Sequence, residues 1–271
     1  MKPSFQKFPP KMPVLIKSAF LVFFALGITL LFIAGGFFYS GGLTTVLLAQ
    51  IHKFPCNDLQ RLKTITLKRE FSRSAKRIQK WENDIYIRVR GTPTQTDLKT
   101  LQQVAQEINA LQGQIKLHIQ APTAPLEKDN IDILFTPYKQ FKQYDSRVRP
   151  RNKGYFIAEQ DKSIIYIAKI LISSTKINQQ ERNHLIREEL TQCLGLYYDT
   201  RDQPDSIFEA KWTTVQNYSA QDKRLIQLLY SRSLQAGTPK QDIFKSFCSD
   251  YFSLECFLPQ GPCTKTNENK I

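Results

Sequence analysis

Residues 184–199, HLIREELTQCLGLYYD, hold the densest set of side chains able to do chemistry. Residues four apart share a helical face, so His184, Glu188 and Gln192 stack in one row with Glu189 one step round. In a dry cleft two such carboxylates hold a cation or take up a proton. On an open helix they are solvated, and Arg187 is the nearby ion partner. As ligands, Glu188, Gln192 and Asp199 supply carboxylate and amide groups, which suit Ca²⁺, Mg²⁺ or Mn²⁺ better than Zn²⁺. His184 is spaced for a metal pair with Glu188, but a histidine at a helix start is expected to be exposed. His118 falls on the polar side of a strand and His52 beside an apolar stretch. Three histidines in all exclude a histidine-rich metal centre. Cys193 reads as a small core residue. No Gly-x-Ser-x-Gly elbow and no GxxxxGK loop occurs, so acyl-enzyme and nucleotide chemistry drop out.

The elements that must position these groups follow from periodicity. Alternation predicts strands over 84–90, 114–120, 131–135 and 163–172, the last the most apolar run after residue 39 and therefore well covered. Leu98, Leu101, Val104, Ala105, Ile108 and Leu111 mark an amphipathic helix over 94–111, ended by Gly113. A second helix spans 178–194, with Asn178 as cap and Gly195 as stop. A third spans 219–234, opened by a Ser219–Asp222 capping box. Residues 205–208, DSIF, read as packing, with Ser206 capping a turn and Phe208 in the core. The stretch 145–154, with Arg147, Arg149, Arg151 and Lys153, reads as a basic loop.

Residues 18–39 are almost wholly apolar and uncharged, long enough to cross a hydrocarbon layer of roughly 30 Å. Lys2, Lys7, Lys11 and Lys17 precede the stretch, which puts 1–17 inside and the remainder outside. The expected order is a leader (1–17), a transmembrane helix (18–39), a basic stalk (40–80), an exported domain (81–256) and a disordered tail (257–271). The stalk over 57–80 reads as a solvated linker helix. Lys and Arg number 38 against 24 Asp and Glu, a formal net charge of +14. These cations come without an aromatic–basic motif, so nucleic acid is an unlikely partner. Five cysteines fit an oxidising compartment, and their pairing stays open.

The helix reads Glu188-Glu189-Leu-Thr-Gln192, which resembles the HExxH helix of zinc peptidases, where two ligands lie one turn apart and a glutamate polarises the metal-bound water. Gly195 stands where metzincins place the glycine that turns toward their third histidine, and Tyr198 or Asp199 occupies the third-ligand region. More specifically, EELTQCLGLYYD, the DSIF segment at 205–208 and DKRLIQLLY at 222–230 with Gly237 resemble domain of unknown function 2927, a family of proteobacterial envelope proteins and putative lipoproteins. The similarity runs over roughly 81–237. It implies an α+β, metzincin-like mixed sheet with two main helices, carried on one N-terminal transmembrane helix at the inner membrane with the domain in the periplasm. The family supplies no established activity; the likeness to the HExxH helix implies Glu189 as the general base of a metallopeptidase-like hydrolase. The ligand chemistry argues instead for a non-catalytic module with no cofactor, binding a peptide or envelope polymer, with one divalent cation as the alternative.

Overall fold

The computed structural model describes residues 56–68, 74–121 and 131–248. Helix α1 (Cys56–Leu67) leads into strand β1 (Ile85–Gly91), helix α2 (Gln95–Leu111), and strands β2 (Leu117–Ile119) and β3 (Ile131–Thr136). Strands β4 (Gly154–Asp161) and β5 (Ile164–Ser173) follow, then helices α3 (Gln179–Gln192), α4 (Ala220–Leu229) and α5 (Ile243–Cys248). The strands form one mixed sheet in the order β2-β1-β3-β5-β4. β1, β2, β3 and β5 run parallel, while β4 is antiparallel to β5 and forms the sheet's outer strand on that side. The protein is therefore a mixed α/β structure of five strands and several helices.

Helices α2, α3 and α4 each begin where the sequence supplies both halves of a capping box: Thr94 with Asp97, Asn178 with Glu181, and Ser219 with Asp222. The α2 box is itself a junction. Buried Asp97 also accepts from Gln179 and Arg182 of α3, which fixes the start of one helix against the other. Sheet residues Ile85, Ile87, Ile131, Ile133, Ile170 and Ile172 meet Leu101, Val104, Ile108, Leu185, Ile186 and Leu190 of α2 and α3 in the main core. On the other face of the sheet, Leu134, Phe141, Val148, Tyr155 and Leu171 form a smaller cluster under the loop that precedes β4.

Three expectations need correction. β4 was expected as loop followed by unassigned chain, but residues 154–161 pair along β5 in register, closing a hairpin whose tip, Lys162 and Ser163, takes positive φ. The third predicted helix stops at Leu229 rather than Leu234, because Tyr230 leaves helical geometry and Lys80 Nζ takes the carbonyls of both Leu229 and Leu234. The basic stretch is not a free stalk. Leu59, Leu62, Ile65 and Leu67 of α1, with Ile78, are buried in the main core, while Lys76 and Arg77 face water. The domain therefore starts within 56–67, not at 81.

Among the described residues no helix is long and apolar enough to cross a membrane. The leader, the expected span over 18–39, His52, and Cys256, Cys263 and the 257–271 tail lie outside the described residues, as do the side chains of Cys56 and Cys248.

Candidate functional site

α3 presents its cleft-facing row beneath β4. Between them lies an open cleft of about 520 Å³, walled by β4 from Gly154 to Ala158, floored by His184, Glu188, Glu189 and Gln192, and closed opposite by residues 209–213. Glu188, Glu189, Gln192 and Asp199, singled out from spacing alone, all line it. Arg187 does not join them. It is 2% exposed, turned to the far side of α3, paired with Glu107 of α2 and stacked over the Tyr218 ring. The expected Arg187–glutamate ion pair within the helix is therefore replaced by a bridge between helices.

The four residues fall into distinct arrangements. Gln192 Nε2 donates to Asp199 Oδ1 at 2.5 Å. Glu188 Oε2 faces His184 Nε2 at 3.4 Å. Glu189 is buried, with Oε1 pressed against the backbone of Gly154, where a Cβ would overlap it. The expected ligand set Glu188, Gln192 and Asp199 is thus divided between two pairs. Without imidazole or thiolate in it, the set does not fit zinc. Among the described residues no group of three or more His, Cys, Asp or Glu side chains is placed to hold a metal ion.

His184 departs from the expected exposed helix-start residue: its side chain is 3% exposed, and Nδ1 lies 2.9 Å from the Val215 carbonyl. Burial alone pushes the ring toward neutrality, but the hydrogen bond and charge of Glu188 and the Val215 carbonyl outweigh it, and the pKa is raised. His118 lies on β2 with its side chain about half exposed, stacked on Tyr86 and 3.3 Å from Asp84. Cys193 is fully buried, as its sequence context suggested, and burial pushes its thiol pKa up.

The site also uses residues that spacing did not single out. Tyr155 donates to Asp145, which Arg147 clamps through its guanidinium and backbone amide, and the basic loop is thereby tied to the start of β4. The arginine holds the Asp145 carboxyl at about 2, and burial with the aspartate raises the Tyr155 phenol to about 12. Across the cleft, Trp212 is 57% exposed and donates its indole N–H to Glu181. The signal for Trp212 was its presence as a lone large aromatic in a polar loop. For Tyr155 there was none, because β4 itself was not recognised.

At its end α3 is held from behind. Trp81 Nε1 donates to the Cys193 carbonyl and Tyr230 OH to the Leu194 carbonyl, each at 2.9 Å, so these exposed-end acceptors are satisfied inside the core. Gly195 then turns the chain at φ +123°, against the Gln79 carbonyl, where no side chain fits.

Residues 59–247 match the family described as "Protein of unknown function (DUF2927)". Among solved structures, "Structure of Myroilysin" is similar at 14% identity with a TM-score of 0.36, covering 57% of this chain and 83% of that one. "Crystal structure of myroilysin" is similar at 12% identity with a TM-score of 0.37, covering 66% and 97%. Likeness at this level is too weak to carry fold or function across. No curated protein matches the chain.

Proposed function

The chain belongs to the DUF2927 family, whose description assigns no activity, and we propose from its own geometry that it is a membrane-anchored, non-catalytic envelope module that binds an extended peptide in the cleft. One observation carries this reading: the cleft wall is an outer strand. The Ser173 amide donates to the Lys153 carbonyl at 2.8 Å, and antiparallel pairing alternates. Tyr155, Ile157 and Glu159 therefore turn their backbone groups to β5, and Gly154, Phe156 and Ala158 turn theirs outward. An extended chain added there gains main-chain hydrogen bonds, with its side chains reaching α3 and Trp212. The basic rim of Arg147, Arg151 and Lys153 gives an acidic ligand a second hold.

The Glu188-Glu189-Leu-Thr-Gln192 row resembles a zinc-peptidase helix with its imidazoles replaced, and this ligand chemistry supports binding over catalysis. The apolar stretch 18–39 after four lysines supports anchoring in the inner membrane with the domain in the periplasm. The second reading, a hydrolase with Glu189 as base and a cation on Glu188, Gln192 and Asp199, draws support from their shared place on the cleft. Against it stands the Glu189 carboxylate, pressed into Gly154.

The test is binding of fluorescent extended peptides to the full chain, with two variants. Ala158→Pro removes an outward N–H on an outer strand, where proline is tolerated, and is expected to lower affinity at least about tenfold with folding retained. Glu189→Gln is expected to leave binding unchanged. Peptide cleavage by the wild type that disappears in Glu189→Gln establishes the hydrolase reading instead.

A further inference from the structure

We propose that the lobe over residues 138–153 is a second membrane contact, a cationic face that rests on the anionic phospholipid headgroups of the bilayer in which the chain is anchored. This contact lies outside the peptide cleft and rests on the anchoring proposed above.

The way the lobe packs sorts its charges. A short 3₁₀ helix (Tyr138–Gln143) and the chain after it lie on the sheet face opposite the main helices, where Phe141 and Val148 are buried with Leu134 and Leu171. These two apolar residues hold the lobe down, and Lys139, Lys142, Arg147, Arg149 and Arg151 around them are exposed. Over 138–153 there are six cations and one acid. That acid, Asp145, is held by Arg147 and the Tyr155 hydroxyl, and only 8% of its side chain is exposed. Beside the lobe, Asp132 of β3 is held by Arg88 and Arg90, and Glu159 stands toward the far end of β4, bonded to the Tyr166 hydroxyl. The lobe thus turns its cations to solvent and its one carboxylate to the protein.

Two features fit a bilayer rather than an inserted segment. Lys139, Lys142, Tyr144 and Arg149 line no part of the cleft, so the face offers spread charge and no slot for a single chain. Tyr144, among these cations, is 39% exposed, and a tyrosine suits the headgroup level, where its hydroxyl stays wet and its ring does not. The Lys169 ammonium, 5.2 Å from the centroid of that ring, sets a further cation beside it.

Reach makes the contact effective. An anchor that ends at 39 leaves 16 residues before α1 at Cys56, at most about 55 Å of extended chain. The lobe is thereby kept at a high effective concentration of headgroups. Each lysine or arginine near an anionic surface adds roughly fivefold to the partition. Attraction of this kind fades within about 10 Å at ordinary ionic strength, so the contact is reversible and salt-dependent.

The experiment separates lobe from anchor. The full chain is inserted in nanodiscs of phosphatidylcholine, which occupies its apolar stretch, and the discs are sedimented with vesicles of phosphatidylcholine or of an equimolar mixture with phosphatidylglycerol. Capture by the anionic vesicles alone is expected, falling as salt is raised. Lys139→Gln combined with Lys142→Gln is expected to lower the partition about thirtyfold, with the thermal midpoint and the binding of fluorescent peptide unchanged. Lys139→Arg combined with Lys142→Arg is expected to retain capture. A chain that stays out of the discs overturns the anchoring and this contact together. One that inserts but is not captured, or is captured equally by neutral vesicles or in the glutamine variant, overturns the contact alone. Displacement by inorganic phosphate at matched ionic strength also overturns it, by marking a discrete anion site. Tighter association with polyglutamate or duplex DNA than with vesicles of equal charge does so as well, by assigning the face to another polymer.

Discussion

Gly154 carries more of the site than its size suggests, because it is the one place on β4 where the Glu189 carboxylate and Leu185 come against bare backbone. A methyl group there would have to displace both. Gly154→Ala is expected to cost about 1–3 kcal/mol, seen as a lower urea midpoint at unchanged slope. His184 makes a different kind of contribution. Its folded pKa lies above the ordinary value of 6.5, so the stability it supplies is fully present below about pH 6.5 and is lost as pH rises through the folded value. The difference in urea midpoint between wild type and His184→Gln should shrink over that rise. A difference that stays constant from pH 5 to 9 would contradict the placement of the ring against Glu188. Neither behaviour was legible in the sequence, since the row His184, Glu188 and Gln192 gives spacing but not depth, and Gly154 stood in what read as a loop.

Strands β1, β3 and β5 were legible from alternation and apolar runs, and helices α2, α3 and α4 for a local reason: each combines an apolar period with a capping pair three residues apart, and neither signal needs a partner. β4 had neither. Its residues GYFIAEQD change from apolar to charged without alternation, and the strand exists because β5 lies beside it. α1 was obscured by its cations, since its apolar spacing of Leu59, Leu62 and Ile65 sits among Arg61 and Lys63, at the head of a basic run. Lys80 shows how far such a reading goes astray. Counted among the stalk charges, it is 2% exposed and donates to Gln114 Oε1 and to the Leu229 and Leu234 carbonyls. Lys80→Met leaves these acceptors without their donor and is expected to cost about 3 kcal/mol in chemical denaturation. Burial lowers the pKa of the lysine from 10.5 to about 8. The wild type should therefore gain stability relative to Lys80→Met as pH rises from about 8 toward 10.5, because only the unfolded chain holds the proton in that window.

At the scale of the whole molecule the boundary at residue 81 is the expectation that failed, and fragments decide the matter directly. A chain beginning at 54 is expected to unfold cooperatively, whereas one beginning at 81 lacks the buried Leu62, Ile65 and Ile78 and is expected to give no cooperative transition by calorimetry. Truncating Leu62 alone to alanine should already cost about 2–5 kcal/mol. The adjacent pair Lys80 and Trp81 also bears on how the molecule comes apart. One residue grips the end of α4 and the next the end of α3, so a fluctuation that frees this dipeptide releases both helices together. The amides at the two helix ends should then share one opening free energy in native-state hydrogen exchange. The cleft floor would loosen only in step with the remote α4, which gives a ligand in the cleft a mechanical hold on the opposite side of the domain.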